Sequence, residues 1–243
     1  MRSCLLKICR LICVFLSFPL FLLKALGLSA AYKRCFPRLV YAMTARYNAK
    51  MHSEKRKLFR NVCKFADNNG SLRLLEIGCG SGANFQFYPY GCTVLCADPN
   101  PHFETYLRKS MDANKHLTYE AFLVVHAEDM QEVRDESVDV VVCTLVLCSV
   151  RDVKTVLQET RRVLKTGGAF FFLEHVLSST STWIHFLQHT LEPLWFFFGD
   201  GCNITRATWK DVEAAGFSQV HIQHLEAPLT VVIRPHIMGY CIK

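Results

Sequence analysis

Apolar residues fall into two regimes along this chain. From residue 70 onward, short apolar runs alternate with amphipathic stretches, the pattern of strands exchanging with helices. Leu74-Leu-Glu-Ile77 reads as the end of a buried strand and Thr93 to Asp98 as a second. Phe122-Leu-Val-Val-His126 predicts a third, and Val138 to Val142 a fourth, apolar enough to be buried on both faces. Ala169-Phe-Phe-Phe-Leu173 predicts a fifth. Helices are predicted to open at Ala83-Asn-Phe-Gln-Phe87 and to cover 102–115, Asp152–Leu164 (stopped by Gly167-Gly168), 183–198 and Thr205–Ala215. Two closing strands, Gln219–Leu225 and Ile237–Ile242, have no helix between them long enough for a crossover, so they read as an antiparallel hairpin. The expectation is an α/β fold with a doubly wound, mostly parallel seven-stranded sheet over residues 70–243.

Before residue 70 the pattern changes. Leu11 to Leu23 is an unbroken run of 13 residues, without a charge, between Arg10 and Lys24. As a helix it reaches roughly 20 Å, short of the ~30 Å hydrocarbon core of a bilayer. Three readings compete. A cleaved signal peptide has support in the basic start and in Ser29-Ala-Ala31. A spanning anchor needs Lys24 to snorkel, so that Leu11 to Tyr32 acts as one segment. A monotopic anchor bends at Pro19 and keeps both basic flanks on one side. Lys33, Arg34, Arg38, Arg46 and Lys50 follow the run and favour a retained anchor with the remainder in the cytosol. Tyr41 to Asp67 predicts a helix with Leu58, Phe59, Val62 and Phe65 on its apolar side, broken by Asn68-Asn-Gly-Ser71. The divisions are a hydrophobic anchor (1–32), a basic linker helix (33–69) and the α/β domain (70–243).

Charge sharpens that division. Residues 1–64 carry 14 Lys/Arg and one acid, Glu54, whereas residues 65–243 carry 14 Lys/Arg against 20 acids. The overall +7 is therefore an acidic domain behind a leader of +13. Basic residues beside an apolar run suit anionic lipid headgroups better than nucleic acid. Twelve cysteines without a C-x-x-C pair read as reduced cytosolic thiols, and no Cys/His group has the sequence spacing of a metal site.

The candidate chemistry begins where the first strand ends, at Glu76-Ile-Gly-Cys-Gly-Ser-Gly82. Gly78, Gly80 and Gly82 can turn sharply and let a ligand approach the backbone. The glycines alone also satisfy a dinucleotide pattern. Glu76 decides between the two: a carboxylate there repels a pyrophosphate but accepts hydrogen bonds from an ammonium group, which favours S-adenosylmethionine. Asp98, 16 residues after Gly82, is placed to meet ribose hydroxyls.

Glu-x-Gly-x-Gly-x-Gly, Asp98, Glu128-Asp129, Asp139-Val-Val-Val-Cys143, Val163-Leu-Lys-Thr-Gly-Gly168 and Trp209 to Phe217 resemble the motifs of class I S-adenosylmethionine-dependent methyltransferases, which are Rossmann-like. A narrower resemblance is carried by Ala83-Asn-Phe-Gln-Phe-Tyr-Pro89, Asp98-Pro-Asn-Pro101, Asp139 to Val150, Arg234 to Tyr240 and the N-terminal Phe18-Pro-Leu20. These are similar to the methyltransferase-like 7 family. That resemblance implies thiol S-methyltransferase activity on small, apolar alkyl thiols, on the endoplasmic reticulum membrane and lipid droplets; the charge and spacing above add the cytosolic face and no nucleic-acid or metal partner.

The resemblance also implies site roles. Gly78, Cys79, Gly80 and Gly82 would lie under the methionine part, with Glu76 on its ammonium group. Asp98 would take both ribose hydroxyls, with Pro99 and Asn100 beside the adenine and Ala127, where the family usually has glycine, on its other side. Glu128 or Asp129 would meet the exocyclic amine, and Cys143, Thr144 and Leu145 the sulfonium. His175, ending the fifth strand, is the candidate base for the acceptor thiol. Trp183 to Phe198 reads equally as a helix packed on the core and as an apolar cover over the acceptor. A lipid or quinone-like acceptor, and a non-catalytic lipid-droplet binding protein, are the alternative readings.

Overall fold

A computed structural model of the chain describes residues 2–23, 29–178 and 183–243. Its centre is a seven-stranded sheet of order β3-β2-β1-β4-β5-β7-β6. The strands are β1 (Arg73–Ile77), β2 (Thr93–Ala97), β3 (Thr118–Leu123), β4 (Val138–Thr144), β5 (Leu164–His175), β6 (Gln219–Glu226) and β7 (Pro235–Ile242). The first five are parallel, and β7 inserts antiparallel between β5 and β6. The closing hairpin expected from the sequence is thus present, with its later strand innermost.

β4 shows why the sheet is buried on both sides. Val141 and Cys143 point into one apolar layer with Val153, Val156 and Leu157 of helix α4 (Val153–Val163). Val140 and Val142 point into the opposite layer with Met51, Leu58 and Phe59 of α2 (Ser29–Phe59) and Leu107 of α3 (Glu104–Ala113). The alternation is the period-2 geometry of a strand, and α4 answers it with apolar residues at three- and four-residue spacing. Asp152 caps α4, its side chain accepting the Lys154 N–H at 3.1 Å. β1 and β4 lie side by side, yet the strands after each lead away in opposite directions. That reversal opens a crevice at their C-terminal ends, where this class of sheet binds ligands.

Four expectations need correction. β3 begins at Thr118 and ends at Leu123, so most of the predicted 122–126 strand is loop. β3 is an edge strand with partly exposed positions, and the conspicuous apolar residues Val124 and Val125 lie just past it. No α-helix follows the glycine turn, only a single 3-10 turn, Phe85–Phe87. Pro89 forces Tyr88 into extended backbone (φ −78°, ψ 152°) and stops the turn. The 41–67 helix instead begins at Ser29 and ends at Phe59, before a short turn at Val62–Phe65. Helix α6 is shortened to Thr208–Glu213 because Asn203 holds Thr205 in a turn, accepting from its N–H and hydroxyl at 2.8 Å.

The N-terminal run lies within α1 (Arg2–Leu23). Among the described residues no helix is long and apolar enough to cross a membrane. The segment that spanning would require passes through 24–28, outside the described residues. α1 packs along α5 (Trp183–Phe198), with Arg10 meeting Glu192 at 3.3 Å.

Candidate active site

The first half of the crevice is the turn after β1. Gly78, Gly80 and Gly82 all have positive φ, at 59°, 50° and 76°. At Gly78 a Cβ would fall 2.3 Å from the Val146 side chain, so only glycine lets the β1 and β4 ends close together. Asp98, at the end of β2, ties this turn to the next. Its Oδ2 accepts the Gly80 N–H at 3.1 Å and its Oδ1 the Asn100 N–H at 2.9 Å. Each oxygen keeps further acceptor capacity. Burial pushes the Asp98 pKa up to about 6 against those two bonds, which pull it down.

Glu76 is buried beneath the turn. Asn84 Nδ2 donates to its Oε1 at 2.7 Å and the Tyr88 hydroxyl to its Oε2 at 2.7 Å. Burial raises its pKa to about 7 even so. The same Asn84 amide reaches Thr144 Oγ1 at 2.9 Å, joining the β1 and β4 loops. Its Oδ1 is buried and unpartnered.

Helix α2 closes over this turn. Thr44 Oγ1 lies 3.2 Å from Ser81 Oγ, and Asn48 Nδ2 donates to the Ala83 carbonyl at 2.7 Å. Lys55, fully buried, holds Asn48 Oδ1 at 2.8 Å, and burial lowers its pKa to about 8. Pro37, inside α2, has no N–H to offer the Lys33 carbonyl one turn back. Asn100 Nδ2 takes that carbonyl at 2.9 Å, while its Oδ1 accepts the His102 N–H at 3.1 Å. The Asn100 amide therefore ties α2 to the loop after β2, with one N–H and one lone pair remaining on it.

The second half lies at the ends of β4 and β5. Leu145 has a positive φ of 59°, a strained conformation for a leucine. Glu174 Oε1 fixes the loop beyond it, accepting the N–H groups of Val146 and Leu147 at 3.0 and 3.2 Å and facing Cys143 Sγ at 3.6 Å. Burial raises the Glu174 pKa to about 7, and its Oε2 has no partner. His175 Nε2 lies 3.0 Å from Cys202 Sγ, and its buried Nδ1 is unpartnered. Cys202 Sγ also contacts Cys148 Sγ at 3.5 Å and receives the Trp195 indole N–H at 3.3 Å. The interaction with Cys148, helped by Trp195, outweighs burial and lowers the Cys202 pKa. Burial alone would lower the His175 pKa, but the neighbouring Cys148 sulfur and Glu174 reverse it and the net shift is upward. Tyr47 of α2 completes the group: its hydroxyl is buried and unpartnered, its pKa raised by burial, then by Glu174 and Cys148.

Of the predicted residues, the turn glycines, Cys79, Glu76, Asp98, Thr144 and Cys143 come together around the crevice. Pro99 lies within the short turn that Asp98 closes onto the Asn100 N–H. Ala127 is buried, Glu128 accepts the Arg151 N–H at 2.7 Å, and Asp129 faces solvent. Glu174, Tyr47, Cys148 and Cys202 are additional. Only Glu174, adjoining His175, carried a sequence signal; the other three reach the site through the fold alone.

These residues suit S-adenosylmethionine. Two buried carboxylates hold their protons unusually tightly, so a ligand bringing positive charge satisfies both, and Asn84 Oδ1 offers an unfilled acceptor to an ammonium group. Comparison with known proteins agrees. A methyltransferase-domain family matches residues 75–172. Human thiol S-methyltransferase TMT1A is 53% identical over 87% of this chain and 87% of its own. Human thiol S-methyltransferase TMT1B is 48% identical over 98% of this chain and 99% of its own. Among solved structures, a methyltransferase from Thermotoga maritima covers 86% of this chain and 97% of its own with a TM-score of 0.58 and 17% identity, a likeness of fold alone. The chain belongs to the thiol S-methyltransferase family, within the class I S-adenosylmethionine-dependent methyltransferases.

Proposed function

We propose that this protein transfers a methyl group from S-adenosylmethionine to the sulfur of a small apolar thiol, with His175 as the proton acceptor. The observation that carries the acceptor chemistry is the unpartnered Nδ1 of His175, buried beside the reacting end of the crevice while Nε2 is held by Cys202. The bound cofactor supplies a methyl already activated on a positively charged sulfur. The chain must then align the acceptor and remove its proton. A thiol of pKa about 8.5 is only about 3% ionised at pH 7, so a nearby base raises the reactive fraction. With its own proton on Nε2 toward Cys202, His175 presents a bare Nδ1 to the acceptor. The Cys202 sulfur then stabilises the imidazolium that forms, and Glu174 holds the Val146–Leu147 backbone against the same space.

The proposal extends to where the reaction happens. Ile8, Leu11, Ile12, Phe15 and Phe18 form an exposed stripe at helical spacing along α1, and Trp183 and Phe198 are exposed on α5. On this proposal the stripe enters the apolar layer of the membrane. The exposed basic residues of 1–64 would meet anionic headgroups there. The proposed location is the cytosolic face of the endoplasmic reticulum membrane and lipid droplets.

The test is transfer of label from methyl-tritiated cofactor to a panel of alkyl thiols, glutathione and a lipid extract. Alkyl thiols should be labelled and glutathione scarcely. Labelling of a lipid with no small thiol would overturn the acceptor assignment. Flotation of the full-length protein with anionic vesicles tests the membrane proposal, which fails if the protein stays at the bottom of the gradient.

A further inference from the structure

Cys148, His175 and Cys202 come from three separated parts of the chain, and their Sγ and Nε2 atoms all lie within 4.8 Å of one another. Three such side chains invite a metal, but the spacing argues otherwise. Cysteine and histidine bonds to zinc of about 2.3 and 2.0 Å, at tetrahedral angles, hold two sulfurs roughly 3.8 Å apart and sulfur and nitrogen roughly 3.5 Å apart. Here the contacts to Cys202 Sγ are 3.5 Å from Cys148 and 3.0 Å from His175, so the groups meet each other directly. A metal-bound histidine also donates its other N–H to an acceptor. His175 Nδ1 has none.

What the cluster resembles chemically is a poised thiol pair. Cys202 is the centre, with a sulfur that lies against Cys148 and His175 and receives the Trp195 indole N–H. Such surroundings favour thiolate, the form that attacks disulfides. Cys148 is its resolving partner at 3.5 Å, and the backbone is already joined beside it, Asn203 N donating to the Cys148 carbonyl at 2.9 Å. A disulfide needs the sulfurs at about 2.05 Å. The approach required is roughly 1.5 Å, inside a small apolar cluster of Cys148, Cys202, Ile204 and Trp195. Both sulfurs are shielded, with Cys202 8% and Cys148 1% exposed. Access therefore rests on the acceptor reading above: a pocket that brings an alkyl thiol to His175 brings the corresponding small disulfide to Cys202.

We propose that Cys148 and Cys202 form a site of reversible oxidation by small dialkyl disulfides, the oxidised counterparts of the acceptor thiols. The Cys202 thiolate attacks one sulfur of R–S–S–R, forming a Cys202–S–S–R bond and releasing RS⁻. The released RS⁻ takes the Cys148 proton and leaves as RSH, and the Cys148 thiolate attacks the Cys202 sulfur. The second RS⁻ leaves as the thiolate. Two electrons pass from the protein thiols to the small disulfide, which ends as two thiol equivalents. The product ties the Cys202 sulfur into a covalent bond and removes the anion that holds His175, so methyl transfer stops while the acceptor pool is oxidised.

The experiment treats full-length protein with excess diethyl disulfide, maps linked peptides by mass spectrometry and measures turnover after removing the reagent. One Cys148–Cys202 linkage per chain is expected, with turnover falling at least tenfold and returning on addition of a phosphine, which unlike dithiothreitol cannot act as an acceptor thiol. In Cys148→Ser, Cys202 should instead stop as the ethyl mixed disulfide. A Cys63→Ser control removes one exposed thiol and should leave the linkage unchanged. Absence of the 148–202 linkage in folded protein whose Cys35 and Cys63 have reacted overturns the proposal. So does full activity of the linked form. The peptide map is independent of turnover: a linkage that forms in a protein inactive on all thiols would defeat the acceptor reading and leave the oxidation site standing.

Discussion

Around the ends of β1 and β2, all four carboxylate oxygens of Glu76 and Asp98 accept a hydrogen bond from the chain. Around the ends of β4 and β5, Glu174 Oε2, His175 Nδ1 and the Tyr47 hydroxyl are buried and accept nothing. Both carboxylates of the first half are held before a ligand arrives, with Asn84 Oδ1 left open there, as suits a cofactor whose shape never changes. The second leaves groups open at a desolvation penalty of about 1–3 kcal/mol for each unmet polar atom. Such a penalty is tolerable where a varying acceptor must be deprotonated. Pre-organisation for affinity and exposure for reactivity are thus divided between two adjacent strand pairs.

The sharpest way to break this division is Asp98→Ala. It removes the acceptor of two backbone N–H groups and, on the proposed reading, of two ribose hydroxyls. Charge-assisted bonds contribute about 1.5–3 kcal/mol each, so cofactor affinity should fall at least a hundredfold. Calorimetry on a folded variant that binds almost normally would remove Asp98 from the site. His175→Gln should do the converse, lowering turnover by ~10²-fold with cofactor affinity unchanged. Equal losses of affinity and turnover would mean the two halves are one coupled unit.

How much of this could be read from the chain follows the same line. Glu76 to Gly82 and Asp98 are legible because a strand, its turn and the next strand's end are contiguous or nearly so. The sheet is legible where strands are buried on both faces, as in β4, and lost at the exposed edge, where β3 shifted by several residues. Tyr47, Cys148 and Cys202 have no local signature. They meet because α2 folds back over the crevice and because the chain after α5 returns beneath Trp195. The Asn100 bond to the Lys33 carbonyl was not legible, since it depends on Pro37, 63 positions earlier in the chain.

Acidity offers a milder test of the same comparison. Burial holds the Asp98 pKa near 6 and that of Glu76 near 7, above the ordinary 3.8 and 4.5. With folded values raised, the stability these groups contribute is fully present below their ordinary pKa and is lost as pH rises through about 6 to 7. A cationic ligand requires the ionised forms, so its affinity runs the other way. Binding should weaken about tenfold per pH unit between about 7 and 6 and approach about a hundredfold per unit below about 6, while the cofactor-free protein melts at a higher temperature there than at pH 7.5. Calorimetric titrations and melting curves over pH 5 to 7.5 check both signs. Affinity that stays flat across that range would mean that both carboxylates are already ionised in the free protein.

The smallest effect isolates how α2 is held. Asn100→Ala leaves the Lys33 carbonyl without the amide that now meets it at 2.9 Å. A single neutral hydrogen bond is worth about 1 kcal/mol, roughly fivefold in cofactor affinity if α2 must be closed for binding. Overall loosening of the loop after β2 would give the same number, because Asn100 Oδ1 also accepts from His102 N. Pro37→Ala separates the two explanations. It restores an N–H one turn after Lys33, so the helix can satisfy its own carbonyl and the Asn100 amide loses that task. In the Pro37→Ala background, Asn100→Ala should therefore cost less than in the parent, with a coupling of about 1 kcal/mol in a double-mutant cycle read by cofactor titration. Additive losses would show that the Asn100 amide acts through its own turn alone, and that the α2 contact follows from closure without contributing to it.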